Sequence, residues 1–395
     1  MSAAPPPKNS SLSPAHGAEG GLNARHWLSK IHALAFDRPV KIMNVCGGHE
    51  RAITHAGLRG ALPAWLELVP GPGCPVCICP EEDIYQAIQL ALQDKVILLA
   101  YGDMLRVPVN VAKGEVRSLI EAQAAGADVR PIASPIEARK IALDNPGRPV
   151  VFFAAGFETT TAPLAAMLAE MKLPSPASGG GGPNNLSILL SGRLTWPAVA
   201  MLLHSGRPGF DALIAPGHVS AVMGPEEWQF VVDQHNIPAA VAGFTPESLL
   251  AAFYSVLRQL ESGERFLDNC YREVVMPGGN PTGRRLMAAT LDVVDANWRG
   301  IGVIPASGYA LKPAFARYDA RKRYPDHSAP GRRRAGEMPP GCDCAEVVLG
   351  RRYPNQCRLY GRACTPRHPV GPCMVSDEGA CRIWWAGGVE ADLTA

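Results

Sequence analysis

The chain has 395 residues, 19% charged and 47% apolar, with a formal net charge of +2. That balance excludes a global pull toward nucleic acid or acidic lipid, and the length calls for two or three domains rather than one core. No apolar run approaches the roughly 20 residues that a membrane span needs.

Met1 to about Gly21 is rich in Pro, Ser, Ala and Gly and has no apolar h-region, so a signal peptide is excluded and residues 1–24 read as a disordered tail. The expected compartment is cytoplasmic, where thiols stay reduced and clustered cysteines serve metals or catalysis more often than structural disulfides. From about Arg38 to Arg272, short apolar runs alternate with amphipathic stretches. Val40–Val45, Leu66–Val69, Val96–Tyr101, Val150–Ala155, Leu186–Leu190, Ala212–Ala215 and Ala239–Ala242 read as buried strands. Glu81–Leu92, Ser134–Asp144, Glu226–His235 and Pro246–Leu260 read as helices. This alternation implies an α/β fold with parallel sheets covered on both faces. A turn at Asn145-Pro146-Gly147 suggests a first α/β unit over 25–147 and a second over 148–275, followed by a C-terminal domain over 276–395. The glycine-rich stretch Ser175–Asn185 reads as a flexible insertion. Arg321-Lys322-Arg323 and Arg332-Arg333-Arg334 read as a solvated basic linker.

Each apolar run stops in a short polar or glycine-bearing turn, and in open α/β sheets ligands bind at the carboxyl ends of strands. The first such turn is Cys46-Gly47-Gly48-His49-Glu50. There an accessible thiol stands beside His49 and Glu50, which could act as acid/base groups or support a ligand; a buried, inert cysteine is the competing reading. The second, Gly73-Cys74-Pro75-Val76-Cys77, leads toward the helix beginning near Glu81. A pair so placed is a redox dithiol, two metal ligands or half a zinc site, and a helix N-terminus would favour its thiolate. Cys79 reads as incidental and Cys270 as packing. No turn matches a P-loop or the G-x-G-x-x-G fingerprint, so nucleotide binding has no support.

Six of the eleven cysteines crowd the C-terminal stretch: Cys342, Cys344, Cys357, Cys364, Cys373 and Cys381. Four thiolates can hold an iron–sulfur cluster or zinc. Wide, irregular spacings favour a [4Fe–4S] cubane over a zinc knuckle, with plain redox thiols a third reading. Cys344, Cys357, Cys364 and Cys381 are the expected ligands, with Cys342 and Cys373 in reserve.

Together these motifs resemble the HypD family of hydrogenase maturation proteins. The resemblance rests on Cys46-Gly-Gly-His-Glu, Gly71-Pro-Gly-Cys-Pro-Val-Cys77, Tyr101-Gly-Asp-Met-Leu-Arg-Val-Pro108, Gly156-Phe-Glu-Thr-Thr160, Pro216-Gly-His218 and Cys364-Thr-Pro-x-x-Pro-x-Gly-Pro-Cys373-Met-Val-Ser-x-Glu-Gly-Ala-Cys381. The chain departs from the family pattern at Cys79 and at Val109-Asn110. The resemblance implies two parallel-sheet α/β domains facing a cleft, plus a small Cys-rich iron–sulfur module. It implies a scaffold on which the Fe(CN)2CO unit of [NiFe]-hydrogenases is assembled, the iron being held transiently by Cys46 and a cysteine of a HypC-type small chaperone. A HypE-type protein would deliver cyanide, and the [NiFe]-hydrogenase large subunit would receive the product indirectly. Cys74 and Cys77 would be the redox-active or iron-associated pair, and four C-terminal cysteines would ligate a [4Fe–4S] cluster. The cluster and the pair together would relay electrons to the iron site. A thiol-disulfide oxidoreductase acting on a partner protein, and a zinc-stabilised binding protein, are the alternatives. Only the scaffold requires Cys46 as a third, separate thiol.

Overall fold

The computed structural model describes residues 23–172, 181–206, 208–327 and 338–392. Residues 1–22 of the expected N-terminal tail, most of the glycine-rich insertion and the Arg332–Arg334 run lie outside them; Asn23 and Ala24, also counted in that tail, instead cap and begin the helix Ala24–His32. The strands are β1 (Val40–Asn44), β2 (Leu66–Pro70), β3 (Ile97–Tyr101), β4 (Val129–Ile132), β5 (Val150–Gly156), β6 (Leu186–Gly192), β7 (Ala212–Pro216), β8 (Ala239–Ala242), β9 (Leu267–Asn269), β10 (Leu291–Trp298) and β11 (Gly302–Leu311). They form two parallel sheets, β2-β1-β7-β8-β9 and β4-β3-β5-β6, and one antiparallel hairpin, β10-β11.

Burial on both faces explains why the central strands are almost wholly apolar. Successive side chains of a strand point to opposite faces. Leu98, Ala100, Val151 and Phe153 therefore join the core that also holds Cys344, Cys373 and Cys381. Their neighbours Ile97, Leu99, Val150 and Phe152 join the core under the helix Glu158–Lys172 and the hairpin. The C-terminal segment thus shares the four-stranded sheet's core and is no separate appendage.

Hydrogen bonding corrects the cut at 147/148. The Asn145-Pro146-Gly147 turn does end the helix Pro135–Asp144, but β3 before it pairs with β5 after it, Ile97 opposite Val150. β1 pairs in turn with the distant β7, Ile42 opposite Ala212. The whole four-stranded sheet is therefore inserted between β2 and β7 of the five-stranded one. Apolar runs specify strands but not their partners, which is why a local turn looked like a boundary. Two helices also differ from expectation. Glu226–His235 is broken into a 3-10 turn, Pro225–Trp228, and a short helix, Gln229–Asp233. The Cys-x-x-Cys pair begins its own one-turn helix, Pro75–Ile78, ahead of Glu81–Leu92.

Candidate thiol and metal centre

β1 and β2 end side by side, Asn44 opposite Pro70, so the turns that follow them meet. Cys46 caps the helix Gly47–His55, and Cys74 caps the one-turn helix Pro75–Ile78. The Gly47 N–H donates to the Gly73 carbonyl at 3.4 Å. A Cβ on Gly73 would overlap the Val45 carbonyl and crowd the Cys46 Cα, so only glycine lets the two turns approach this closely. Cys46, Glu50, Cys74, Cys373 and Glu378 then line one crevice with about 10 Å³ of room. That is space for a single water at most.

Cys46 is partly exposed. Burial, followed by the charge of Glu378, pushes its thiol up to about 12, while the backbone N–H groups of His49 and Gly48 pull the other way. The metal-free thiol is therefore protonated, and any metal bound there must displace that proton. Glu378 itself is pushed up to about 7, by burial and then by Asp103. His49 is fully buried, with Nε2 2.9 Å from the Ala242 carbonyl, its ring beside Phe244, and Nδ1 without a partner among the described residues. Burial holds this imidazole down to about 4, so it is neutral near pH 7. Glu50 is tied by Arg59 at 2.7 Å and by the indole N–H of Trp384 at 2.5 Å. Trp384 thereby links the C-terminal segment to the Cys46 helix.

Cys74 and Cys77 form a disulfide with Cα atoms 5.3 Å apart, and the Cys77 N–H donates to the Cys74 sulfur at 3.2 Å. Cys79 is a separate buried thiol, 3.5 Å from Ser191 Oγ and pushed up to about 12 by burial and Asp83. Cys270 lies against the five-stranded sheet's core near Asp268, away from these groups.

In the C-terminal segment the sulfurs of Cys344, Cys373 and Cys381 all lie within 4.8 Å of one another. The Cys342 sulfur is 3.3 Å from that of Cys344. Cys344 and Cys381 donate toward Cys373, holding it well below the ordinary thiol range, while Cys381 is pushed well above it. Cys357 and Cys364 are buried but engage backbone, the Gly341 carbonyl at 3.9 Å and the Val370 N–H at 3.4 Å. The structure therefore gathers Cys344 and Cys381 with Cys373, and places Cys342 beside Cys344. Buried, clustered thiols are a soft donor set that suits iron, so the group fits a metal or an iron–sulfur centre. Trp384 and Arg59 were not foreseen, because neither carries a chemical signal of its own. Glu378 could have been found, since it stands inside the Ser-x-Glu-Gly-Ala-Cys381 motif.

Fold and site define a class: a parallel α/β protein that brings a strand-end thiol, a Cys-x-x-Cys disulfide and a buried cysteine group able to hold a metal to one edge. A family model, HypD, described as "Hydrogenase formation hypA family", matches residues 23–388. The chain belongs to this family. It is 40% identical to the hydrogenase maturation factor HypD of Azotobacter vinelandii over 93% of this chain and 95% of that protein. It is 38% identical to HypD of Rhodobacter capsulatus, over 90% of this chain and 91% of that protein. It is likewise 38% identical to HypD of Escherichia coli, over 88% and 89% respectively.

Proposed function

We propose that this chain is a hydrogenase maturation factor that serves as the scaffold for building the Fe(CN)2CO unit of [NiFe]-hydrogenases. The observation that carries the reading is the shared crevice, where Cys46, the Cys74–Cys77 disulfide and Cys373 of the C-terminal thiol group come together. The iron unit is cargo. Cys46 offers it one thiolate at the tip of β1, and a cysteine of a HypC-type chaperone supplies a second. A HypE-type protein brings the cyanide, and the finished unit passes on toward the hydrogenase large subunit.

The Cys74–Cys77 pair supplies redox equivalents. Reducing its disulfide takes up two electrons and two protons and leaves two thiols; re-forming it releases the same. Four of the C-terminal cysteines would hold a [4Fe–4S] cluster, which when bound offers a one-electron store. His49, neutral and buried, adds no charge to the Cys46 turn, and Glu50 fixes the helix that carries Cys46. No helix among the described residues is long and apolar enough to cross a membrane, which is compatible with assembly in the cytoplasm.

The test is an infrared spectrum of the full chain, purified anaerobically with its small chaperone after co-expression of the maturation partners. CO and cyanide stretches are expected, and they should vanish in Cys46→Ser together with hydrogenase maturation, while the protein stays brown. A brown protein without such bands would instead favour the thiol-disulfide oxidoreductase.

A further inference from the structure

The helices Trp196–His204 and Gln229–Asp233 pack on one face of the five-stranded sheet and share a core there. Val199, Leu202 and Leu203 of the first are buried with Val231 and Val232 of the second. An aromatic contact ties the two together: Trp196 and Phe230 meet edge to face, with ring centres 5.8 Å apart. Packing therefore fixes both backbones without any ligand. Each helix ends in a histidine that the scaffold reading leaves without a role. His204 is the last residue of the first helix, and His235 follows the second by two residues. Asn236, at φ +54° and with its N–H donating to the Val232 carbonyl at 2.9 Å, closes the chain turn directly after His235.

The rings of His204 and His235 meet edge to face with centres 5.2 Å apart. With metal–nitrogen bonds of about 2.0–2.1 Å and a tetrahedral angle, two imidazoles on one ion have ring centres about 5 Å apart. The pair is already spaced for a shared ion, so binding needs the rings to rotate and leaves the helices in place. The nitrogens are prepared as well. His204 Nδ1 lies 2.6 Å from the Ala200 carbonyl. A carbonyl can only accept, so Nδ1 carries a proton and, in the neutral ring, Nε2 keeps the lone pair. Metal-binding histidines are commonly held by such a bond from their other nitrogen. His235 Nε2 is shut off from solvent and has no hydrogen-bond partner among the described residues. A buried nitrogen left unpaired is costly, and an ion between the rings would give it the partner it lacks. The C-terminal end of the nine-residue helix also favours positive charge beside His204.

We infer that His204 and His235 form a two-histidine site for a borderline divalent metal of the nickel, copper and zinc class, with water completing the coordination. Imidazole nitrogen suits these ions, whereas calcium and magnesium take oxygen ligands. Neither histidine lines the Cys46 crevice or belongs to the gathered C-terminal thiols, so the site stands apart from the proposed iron scaffold. A bound ion would tie the ends of the two helices together.

The experiment is equilibrium dialysis of the full chain against Ni2+ at pH 7.5, comparing the wild type with His204→Gln and His235→Gln. The cysteines are common to all three proteins, so nickel held by thiols cancels in the comparison. Each variant should bind the ion in question about a hundredfold more weakly than the wild type, since two linked contacts give way to one. Nickel should also raise the urea midpoint of the wild type more than that of either variant, because it binds the folded pair. His204 is exposed, so His204→Gln decides alone if His235→Gln fails to fold. Equal nickel binding by the wild type and His204→Gln would overturn the site. Loss in one folded variant but not in the other would put the ion on a single imidazole and overturn the pair.

Discussion

The two sulfur-bearing regions are built in opposite ways. Cys46 and the Cys74–Cys77 pair hang from the carboxyl ends of neighbouring parallel strands, so sheet register fixes their distance. The gathered C-terminal thiols Cys344, Cys373 and Cys381 are not borne on strands. They are carried by short helices and 3-10 turns, Cys344–Val348, Pro354–Gln356, Pro372–Met374 and Ala380–Ala386, packed onto one face of the four-stranded sheet. A strand-borne site is rigid before any ligand arrives, which suits the cargo-holding role proposed for Cys46. A site made of turns gains from a resident metal that ties its segments together, because metal binding and local folding are then one event.

That contrast predicts its largest effect at Cys381, which belongs both to the gathered thiols and to the expected ligand set. Cys381→Ser should lose its iron, from about four atoms per chain toward none, and should be destabilised in the C-terminal segment. Cys46→Ser and Cys74→Ser should keep theirs. Iron analysis and absorbance of the three proteins decide the matter. Loss of iron in all three would mean that the two regions form a single metal site.

The parts that could be read from the sequence follow the same division. Strands buried on both faces announce themselves as unbroken apolar runs, and β1, β2, β3, β5, β6, β7 and β8 were all legible. β4, Val-Arg-Pro-Ile, is too short and too polar to stand out. The β10-β11 hairpin hides for another reason: Val293, Val294 and Val303 are exposed, so apolar residues there do not mark a buried face. Glycine turns around Cys46 and Cys74 showed that both thiols end strands, but not that the two strands are adjacent, because pairing is decided by contacts across the whole chain. In the C-terminal segment the cysteines pointed to a potential metal site, and three of them do gather. Their spacing could not show that Cys373 approaches Cys344 and Cys381, since without regular structure sequence separation says little about distance.

Gly73 tests the rigidity of the strand-borne region. An alanine there would drive its Cβ into the backbone of Val45 and Cys46, atoms that cannot move without disturbing β1. Gly73→Ala should cost about 3 kcal/mol, typical of a forced backbone clash, and should separate Cys46 from Cys74. At Gly60 no atom lies within 4 Å of the added carbon. Gly60→Ala should be neutral or stabilising by about 0.5–1 kcal/mol. Urea midpoints of the two variants measure the difference. Equal effects would show that the close approach of the two turns is not needed.

The smallest effect is a pH dependence that belongs to the Cys46 side alone. His49 is buried among apolar and aromatic neighbours, and burial depresses its pKa from 6.5 to about 4. In the unfolded chain the ring takes up its proton near the ordinary value; in the folded protein it stays neutral until much lower pH. Its contribution to stability is therefore fully present above about 6.5 and is lost as pH falls through that value toward 4. At pH 5 the loss should be about 2 kcal/mol, at 1.36 kcal/mol per pH unit. Glu378, raised to about 7, works in the reverse direction: its folded form holds a proton that the unfolded form has released, so it favours folding as pH drops. Only a variant at His49 separates the two. His49→Gln can still donate to the Ala242 carbonyl but has no proton to gain, so its urea midpoint should fall less than that of the wild type between pH 7.5 and pH 5. Parallel curves would mean that His49 takes up its proton in the folded protein as readily as in the unfolded chain.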